Sequence, residues 1–381
     1  MQAITGLILS GGGARAAYQV GVLSGIAQMM PADAANPFPV IVGTSAGAIN
    51  AVTLASGAQQ FVATVQRLEA FWRSFASHQV VRSDWPGVIR QASRFIRHSL
   101  LGIGGSVPVA LVDSSPLGTL LRERLDLAGI EGALAAGALH AVAVTAFGYS
   151  SGQAVTFYQG SHAIQPWLRH RRIGVPTPLS VDHLLASASI PLLFPPVRLG
   201  EDFYGDGAMR QSAPISPALH LGATRVLVVG VSGNPRGPDT GVAAGSEQQP
   251  SLAQIGGHLL NSAFIDSLED DLELLQRLNQ LGRLLPADVS SAPLGLNPVE
   301  VMVVSPSQPL DEIAARHRHE LPPALRLFLR GPGATKTSGA GLLSYLLFEA
   351  GYCGELIELG RRDALAKKAE LLAFLTAAPH P

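Results

Sequence analysis

Short apolar runs alternate with longer amphipathic stretches along most of this sequence. The runs that predict strands cover residues 4–9, 38–42, 138–147, 225–231 and 299–304. Between the first two runs, Val20, Leu23, Ala27 and Met30 recur at helical spacing and predict a helix that ends near residue 30. Strands that alternate with helices favour a mostly parallel sheet with helices on both faces. We therefore predict a three-layer α/β/α fold with a mostly parallel central sheet, formed by residues 1–381 as a single domain.

Three stretches depart from this simple alternation. Residues 59–127 separate the second strand and its helix from the third strand, and are predicted to be a helical insertion. Residues 234–250 are rich in Gly, Pro and polar side chains and are predicted to be a mobile surface loop. Residues 311–377 are predicted to form a C-terminal helical extension. The most apolar stretch, residues 133–147, is too short to span a bilayer and is better interpreted as a buried strand.

Composition excludes several classes of protein. Of the 381 residues, 47% are hydrophobic and only 14% are charged, which supports a large core and argues against a disordered chain. Lys and Arg (27) nearly balance Asp and Glu (28), so no overall field attracts nucleic acid. Cys353 is the single cysteine, which excludes an internal disulfide and a cysteine-based metal site. Since residues 1–9 resemble no signal peptide, we expect a cytoplasmic protein, with peripheral contact at the inner membrane face as an open alternative.

The sequence Gly43-Thr44-Ser45-Ala46-Gly47 is a G-x-S-x-G motif. The motif alone is close to a chance event in a chain with 41 glycines, but here it joins a predicted strand to a predicted helix. A strand, a sharp turn and a helix together are typical of a nucleophile elbow. A side chain at position 43 or 47 is expected to clash in such a turn. Ser45 is therefore the candidate nucleophile, and a small-residue turn is the alternative.

A second glycine-rich segment, Ser10-Gly11-Gly12-Gly13-Ala14-Arg15, follows the first predicted strand. Backbone N–H groups of consecutive glycines can approach an anion closely, so this loop can bind an oxyanion. The same segment also satisfies a dinucleotide-binding fingerprint, which expects an acidic residue at the end of the next strand. Asp33 has the required distance but precedes that strand, which favours the oxyanion interpretation. For Arg15, contact with the loop, contact with a phosphate group and a plain salt bridge all stay open.

The third segment is Phe203-Tyr204-Gly205-Asp206-Gly207-Ala208. Alone, Asp-Gly is a turn signal. In this order the glycine loop, the serine elbow and Asp206-Gly207-Ala208 resemble the patatin-like phospholipase family. The sequence departs from the family pattern at two positions. Ala16 stands where the family usually has glycine, and its side chain is expected to narrow the space at the helix start without changing the chemistry. Ala208 is an accepted variant of the family.

The resemblance implies a serine acyl hydrolase that cleaves fatty-acyl esters of phospholipids, lysophospholipids or acylglycerols. It implies that Ser45 attacks the ester, that Asp206 acts as the base without a histidine, and that Gly11, Gly12 and Gly13 form the oxyanion hole. No metal or cofactor is needed, and the expected partner is a lipid ester. A buried Asp206 would gain as a base, because burial raises the pKa of a carboxylate.

Three alternatives stay open at this point. A Ser-His-Asp triad would take its histidine from the residues that follow the acid, and the candidates are His220, His258, His317 and His319. A dinucleotide-binding module would use the glycine loop. A catalytically silent lipid-binding protein would keep the fold without the reaction.

Within residues 59–127, the resemblance makes a lid or a lipid-access region the natural interpretation. Residues 85–100 there predict a basic amphipathic helix, with an apolar side and a cationic side. Its apolar side comprises Trp85, Val88, Ile89, Ala92, Phe95, Ile96 and Leu100, and its cationic side Arg90, Arg94, Arg97 and His98. Such a helix can lie on a membrane surface, and an ordinary helix packed on the sheet is the alternative.

Overall fold

The computed structural model describes residues 4–82, 84, 86, 93, 110–211, 214–232, 251–263, 267–284, 298–330 and 339–376. Its ten strands form one sheet, and five of the nine strand pairings are parallel. The strands are β1 Thr5–Leu9, β2 Val40–Thr44, β3 Ala141–Gly148, β4 Ala154–Gly160, β5 Trp167–Arg169, β6 Arg172–Pro176, β7 Val197–Leu199, β8 Asp202–Asp206, β9 Arg225–Val229 and β10 Glu300–Val304. Along the main path their order is β10-β9-β1-β2-β3-β4-β6-β5.

Helices cover both faces of this sheet. They are α1 Ala17–Gln28, α2 Ala46–Ser56, α3 Phe61–Arg73, α4 Ser77–Val80, α5 Ser115–Arg124, α6 Ala128–Ala135, α7 Val181–Ser187, α8 Ser216–His220, α9 Leu252–Asn261, α10 Ser267–Leu284, α11 Leu310–His317, α12 Pro323–Arg330, α13 Ala340–Leu346, α14 Ala350–Ala366 and α15 Lys368–Thr376. None of the described helices is both long and apolar enough to cross a membrane.

Side chains of the central strands alternate between two hydrophobic cores. In β1, Leu7 and Leu9 enter the larger core with α1, α2, α3 and α14, whereas Ile8 enters a smaller core on the opposite face. The smaller core contains Ala218 of α8 and Leu268 of α10. Because β1, β2 and β9 are buried on both faces, their sequences are mostly apolar, as expected for parallel strands under two helical layers. The predicted three-layer α/β/α fold with a mostly parallel central sheet is confirmed.

All five predicted strands occur, with each boundary within three residues of the predicted one. The helix after the glycine loop also occurs, as α1. The remaining strands, β4 to β8, were not predicted, because most are short and pair with neighbours that local sequence does not identify. Residues 234–250, predicted to be a loop, lie outside the described residues, as does most of the predicted amphipathic helix at 85–100.

The carboxyl ends of β1 and β2 lie side by side. Leu9 at the end of β1 pairs with Gly43 near the end of β2 and with Val229 of β9. From β1 the chain moves to β2 and β3 on one side and later to β9 and β10 on the other. A crevice at such a reversal of strand order is the usual ligand site of an open α/β sheet. The glycine loop follows β1 at this place, and Ser45 follows β2.

Strand β8 reaches the same edge from the opposite direction. Strand β2 pairs with β3 as far as Thr44 and Thr145, where β2 ends. The next residue of β3, Ala146, pairs with Asp206 of the antiparallel strand β8. Strand β8 therefore continues the edge of β3 that β2 leaves, and its last residue, Asp206, lies just beyond the end of β2.

Candidate active site

Ser45 occupies a strained turn between β2 and α2. Its backbone has φ 56° and ψ −131°, a conformation that costs on the order of 1–3 kcal/mol in a residue with a side chain. A Cβ atom added to Gly47 would lie 2.3 Å from the carbonyl oxygen of Leu9, and one added to Gly43 would lie 2.5 Å from Cα of Ala48. Only glycine fits at both positions, so the spacing of the motif follows from the space around the turn.

The buried side chain of Ser187 holds the strained turn in place. The Ser45 backbone N–H donates to Oγ of Ser187 at 2.8 Å, and the Ser187 hydroxyl donates to the carbonyl oxygen of Thr145 at 2.6 Å. Ser187 is completely buried at the end of α7. This bridge fixes Ser45 to the middle of the sheet, and the role of Ser187 was not predicted from the sequence.

Asp206 is 1% exposed at the end of β8. Its backbone N–H donates to the carbonyl oxygen of Ser189 at 2.9 Å, and its Oδ1 accepts from the Ala208 N–H at 3.0 Å. The other carboxyl oxygen, Oδ2, is buried and accepts no hydrogen bond of ordinary geometry from the residues that the structure describes. One carboxyl oxygen is therefore held by the backbone, and the second is available for chemistry.

Burial raises the pKa of Asp206 to about 7, against the opposing effects of hydrogen bonding from the Ser45 side chain and from the Ala208 N–H. The Ser45 hydroxyl thus lies near enough to act on the carboxylate, although it does not meet the geometry of an ordinary hydrogen bond to Oδ2. Such contacts are often long in an enzyme without substrate. A carboxylate with a pKa near neutrality is well matched to accept a proton at neutral pH.

The glycine loop presents backbone donors beside the serine turn. Gly13 has φ 55°, and a Cβ atom there would lie 2.2 Å from the carbonyl oxygen of Tyr345. Neither the Gly12 nor the Gly13 N–H donates to any residue within the described part of the chain. Gly13 and Ser45 line the same cavity, while Gly11 lines a smaller space with Thr44 and Ala208. The glycine loop and Ser45 therefore adjoin one another.

Arg15 fixes the glycine loop to α13. The side chain is 4% exposed, its Nε donates to Oγ of Ser344 at 2.8 Å, and its guanidinium lies 4.1 Å from the ring centre of Tyr345. Its Nη1 also donates to Oδ1 of Asn261 at 3.4 Å. Among the described residues no carboxylate lies within 4.0 Å of Arg15, so the salt-bridge alternative is not observed there.

Two buried side-chain amides, those of Gln19 and Asn50, also hold the glycine loop in place through hydrogen bonds. Gln19 donates to the carbonyl oxygen of Ser10 at 2.7 Å, and Asn50 donates to Gln19 at 3.1 Å and to the carbonyl oxygen of Ala16 at 3.2 Å. The indole N–H of Trp72 donates to Asn50 at 2.8 Å. Sequence analysis missed Gln19 and Asn50, for which the only signal is a polar residue within an otherwise apolar helix.

An apolar cavity of about 30 Å³ opens at Ser45. Its walls are formed by Gly13, Ser45, Ala46, Ile49, Phe71, Trp72, Phe75, Val80, Leu117, Ala188, Ile190, Phe194 and Phe348. In this wall the ring of Phe75 contacts the rings of Phe71 and Phe348, with centroids 4.8 Å and 5.7 Å apart. The space holds only a few water molecules, so an acyl chain can enter only if these side chains move apart.

The histidines considered for a triad lie in other places. His220 donates or accepts at Ser216 and stacks on Trp167 in the smaller core, where burial lowers its pKa. His317 lies between Glu320 and Glu355, whose hydrogen bonds raise its pKa although burial opposes them. His258 and His319 are exposed. None of these four makes a hydrogen bond with Ser45 or Asp206 within the described residues.

The acid expected for dinucleotide binding is also absent from the strand end. Asp33 is exposed in the connection between α1 and β2. Strand β2 ends instead at Thr44, whose hydroxyl donates to Oε1 of Gln211 at 2.7 Å. The glycine loop therefore faces a serine turn where a dinucleotide fold would present a carboxylate to ribose.

A family model described as patatin-like phospholipase matches residues 7–219. A Pseudomonas aeruginosa protein named cGAMP-activated phospholipase is 29% identical over 214 residues, which are 56% of this chain and 55% of that protein. The chain thus spans about half the length of this relative. Among solved structures, VipD from Legionella pneumophila gives a TM-score of 0.32 at 11% identity, covering 94% of this chain and 67% of VipD. A structure of the ExoU–SpcU complex of Pseudomonas aeruginosa gives a TM-score of 0.28 at 16% identity, covering 90% of this chain and 70% of the matched chain.

Proposed function

The chain belongs to the patatin-like phospholipase family, and on that premise we propose that it is a serine acyl hydrolase acting on fatty-acyl esters of lipids. Ser45 is the nucleophile and Asp206 is the base of a two-residue dyad. The observation that carries this proposal is the pairing of a strained, buried serine with a buried carboxylate whose Oδ2 has no other partner among the described residues.

Acylation begins when Ser45 attacks the ester carbonyl carbon. The Oγ–carbon bond forms as the hydroxyl proton passes to the Asp206 carboxylate, and the carbonyl oxygen becomes negative. The Gly12 and Gly13 N–H groups, which have no acceptor among the described residues, donate to this oxyanion. A well-placed donor of this kind contributes about 3–4 kcal/mol to transition-state stabilisation. When the intermediate collapses, the alcohol leaves with the proton from Asp206.

Deacylation repeats the same steps with water. Asp206 accepts a proton from water as its oxygen attacks the acyl carbon, and the second oxyanion is held by the same glycine N–H groups. Collapse breaks the bond to Ser45, which recovers its proton, and the fatty acid is released. Acylation and deacylation each begin with Asp206 ionised, and a pKa of about 7 allows this at neutral pH.

The apolar cavity at Ser45 supports a lipid as the substrate. Its walls consist almost entirely of aromatic and aliphatic side chains, which suit a fatty-acyl chain and offer nothing to a polar acyl group. Contact between residues 85–100 and a membrane surface fits the same substrate class and is part of this proposal. Arg15, being buried and bound to α13, acts by holding the glycine loop.

The test compares single variants with the parent protein on phosphatidylcholine vesicles and on p-nitrophenyl butyrate. We expect Ser45→Ala and Asp206→Asn each to lower kcat by about 10²–10⁴-fold or more. Two matched controls, Ser151→Ala in an exposed turn and Asp202→Asn at the other end of β8, are expected to keep their activity.

Two results would count against the proposal. If Asp206→Asn keeps its activity, Asp206 is not the base and there is no Ser45–Asp206 dyad. If Ser45→Ala keeps its activity, Ser45 is not the nucleophile. A parent protein that binds the vesicles but releases no fatty acid would identify a silent lipid-binding protein instead.

A further inference from the structure

A cationic groove lies on the surface of the C-terminal helices. One wall is the exposed face of α12, where Pro323, Arg326, Leu327 and Arg330 recur at helical spacing. The facing wall is the short 3₁₀ turn Arg318–Glu320. The groove has a volume of about 310 Å³, which is within the range of small-molecule sites.

The acidic residues beside this groove are already occupied. Glu320 and Glu355 each contact a ring nitrogen of His317 at 2.6 Å, and Glu355 also pairs with Arg316. Within the described residues, no carboxylate lies within 4.0 Å of Arg318, Arg326 or Arg330. Three guanidinium groups therefore converge on one groove without a partner of opposite charge in that part of the chain.

The guanidinium groups are presented from a fixed frame. The opposite side of α12 is anchored by Ala324, Leu325 and Leu329, which are buried in the protein. Arg326 also donates across the groove to the carbonyl oxygen of His319 at 3.4 Å. The backbone that carries Arg326 and Arg330 is therefore already ordered and needs no further ordering when a ligand binds.

We propose that this groove is a binding site for the phosphate groups of a phosphorylated ligand. A planar guanidinium group can donate two hydrogen bonds to the oxygens of one phosphate group. Three guanidinium groups in one groove can therefore bind several phosphate oxygens of the same ligand. Leu327, which is 56% exposed between Arg326 and Arg330, adds an apolar contact beside the charges. The ligand is either a free phosphorylated molecule or a phospholipid headgroup, since both present the same chemistry. The proposal does not depend on hydrolase activity.

The test measures binding by the full chain in two arms. In the first, inorganic pyrophosphate is titrated into the protein by calorimetry. In the second, the protein is sedimented with vesicles of phosphatidylcholine, with and without phosphatidic acid. The variant is Arg326→Ala/Arg330→Ala, and the control is Arg122→Ala/Arg277→Ala, which removes the same charge from two exposed arginines paired with Asp182 and Glu273. Arg326→Lys/Arg330→Lys keeps the positive charge but lacks the planar guanidinium groups. This second variant replaces the alanine variant in the comparison if the alanine variant does not fold.

We expect the parent protein to bind in at least one arm. The alanine variant should bind more weakly by a factor on the order of ten or greater, and the affinity of the control should be unchanged. The lysine variant should fall between the two. Binding of pyrophosphate assigns the site to free phosphate, and binding only to phosphatidic acid vesicles assigns it to a headgroup. The proposal is overturned if the parent protein binds in neither arm, or if the groove and control variants weaken equally.

Discussion

Replacing Asp206 by asparagine should stabilise the protein at alkaline pH while removing its activity. The buried carboxylate has a pKa raised from 3.8 to about 7, so the folded state holds its proton more tightly than the unfolded state does. A group whose pKa is raised on folding favours the folded state at low pH, and that contribution is lost as pH rises from about 4 to about 7. Asparagine has nearly the same shape as aspartate and does not titrate, so the stability of the Asp206→Asn variant does not decrease in this way as pH rises.

The size of the effect follows from the raised pKa. A rise of about 3 units corresponds to about 4 kcal/mol at about pH 8, where Asp206 is ionised. At about pH 5 the same relation gives roughly 2 kcal/mol. The amide of asparagine has no evident partner at the position of Oδ2, which costs about 1–3 kcal/mol at either pH. The stability of the variant relative to the parent should therefore improve by about 2 kcal/mol between the two conditions.

The assay is urea unfolding of both proteins at the two pH values, which yields four free energies of unfolding. Taking the difference between variant and parent cancels the titration of every other group. Asp202→Asn is the matched control in the same strand. Although burial opposes them, hydrogen bonds from Ser150 and Phe203 lower the pKa of Asp202 below its ordinary value, so its contribution to stability is lost only below about pH 4 and the control should show no change between the two pH values.

A variant that is destabilised by the same amount at both pH values would refute this reasoning. It would mean that Asp206 is not strained by ionisation in the folded protein. The same result would remove the physical basis for treating Asp206 as a base with a pKa near neutrality.

Three further predictions address the reaction. Ser187→Ala leaves the buried Ser45 N–H without its acceptor, so we expect kcat to fall about tenfold or more with KM little changed, and Ser187→Thr to recover part of it in steady-state kinetics. Ala188→Phe fills the cavity at Ser45, so kcat/KM for a long-chain p-nitrophenyl ester should fall at least about tenfold more than for the acetate, and an equal fall would remove the cavity from acyl binding. In the parent protein, kcat/KM should rise with pH around a midpoint of about 7, and a flat profile between about pH 5 and 9 would exclude Asp206 as the titrating base.

The strands and the serine turn could be predicted from the sequence because each depends on constraints from neighbouring residues. Strands β1, β2 and β9 are mostly apolar and buried along their whole length because both of their faces are covered, and the serine turn has its glycines because a Cβ at Gly47 would collide with Leu9. These constraints act within a few residues of the motif, so they leave a readable trace. The order of the three motifs then indicated the family.

The parts that sequence analysis missed depend on contacts between distant segments. Strand β8 is defined by its pairing with the end of β3, and Ser187 acts on a turn 142 residues away. Gln19 and Asn50 differ from other polar helix residues only in what they contact. No property of these residues within the sequence alone distinguishes them, because their partners are set by the folded sheet.

Covalent labelling with a fluorophosphonate shows whether Ser45 is an activated nucleophile. Such a reagent reacts with an activated serine, so peptide mapping of the treated parent protein should find one adduct, on the peptide that contains Ser45. Ser45→Ala should take up no label, and Asp206→Asn should label far more slowly, because its serine lacks a base. Labelling at another serine, or equal labelling of the parent and the Asp206→Asn variant, would contradict the proposed Ser45–Asp206 dyad.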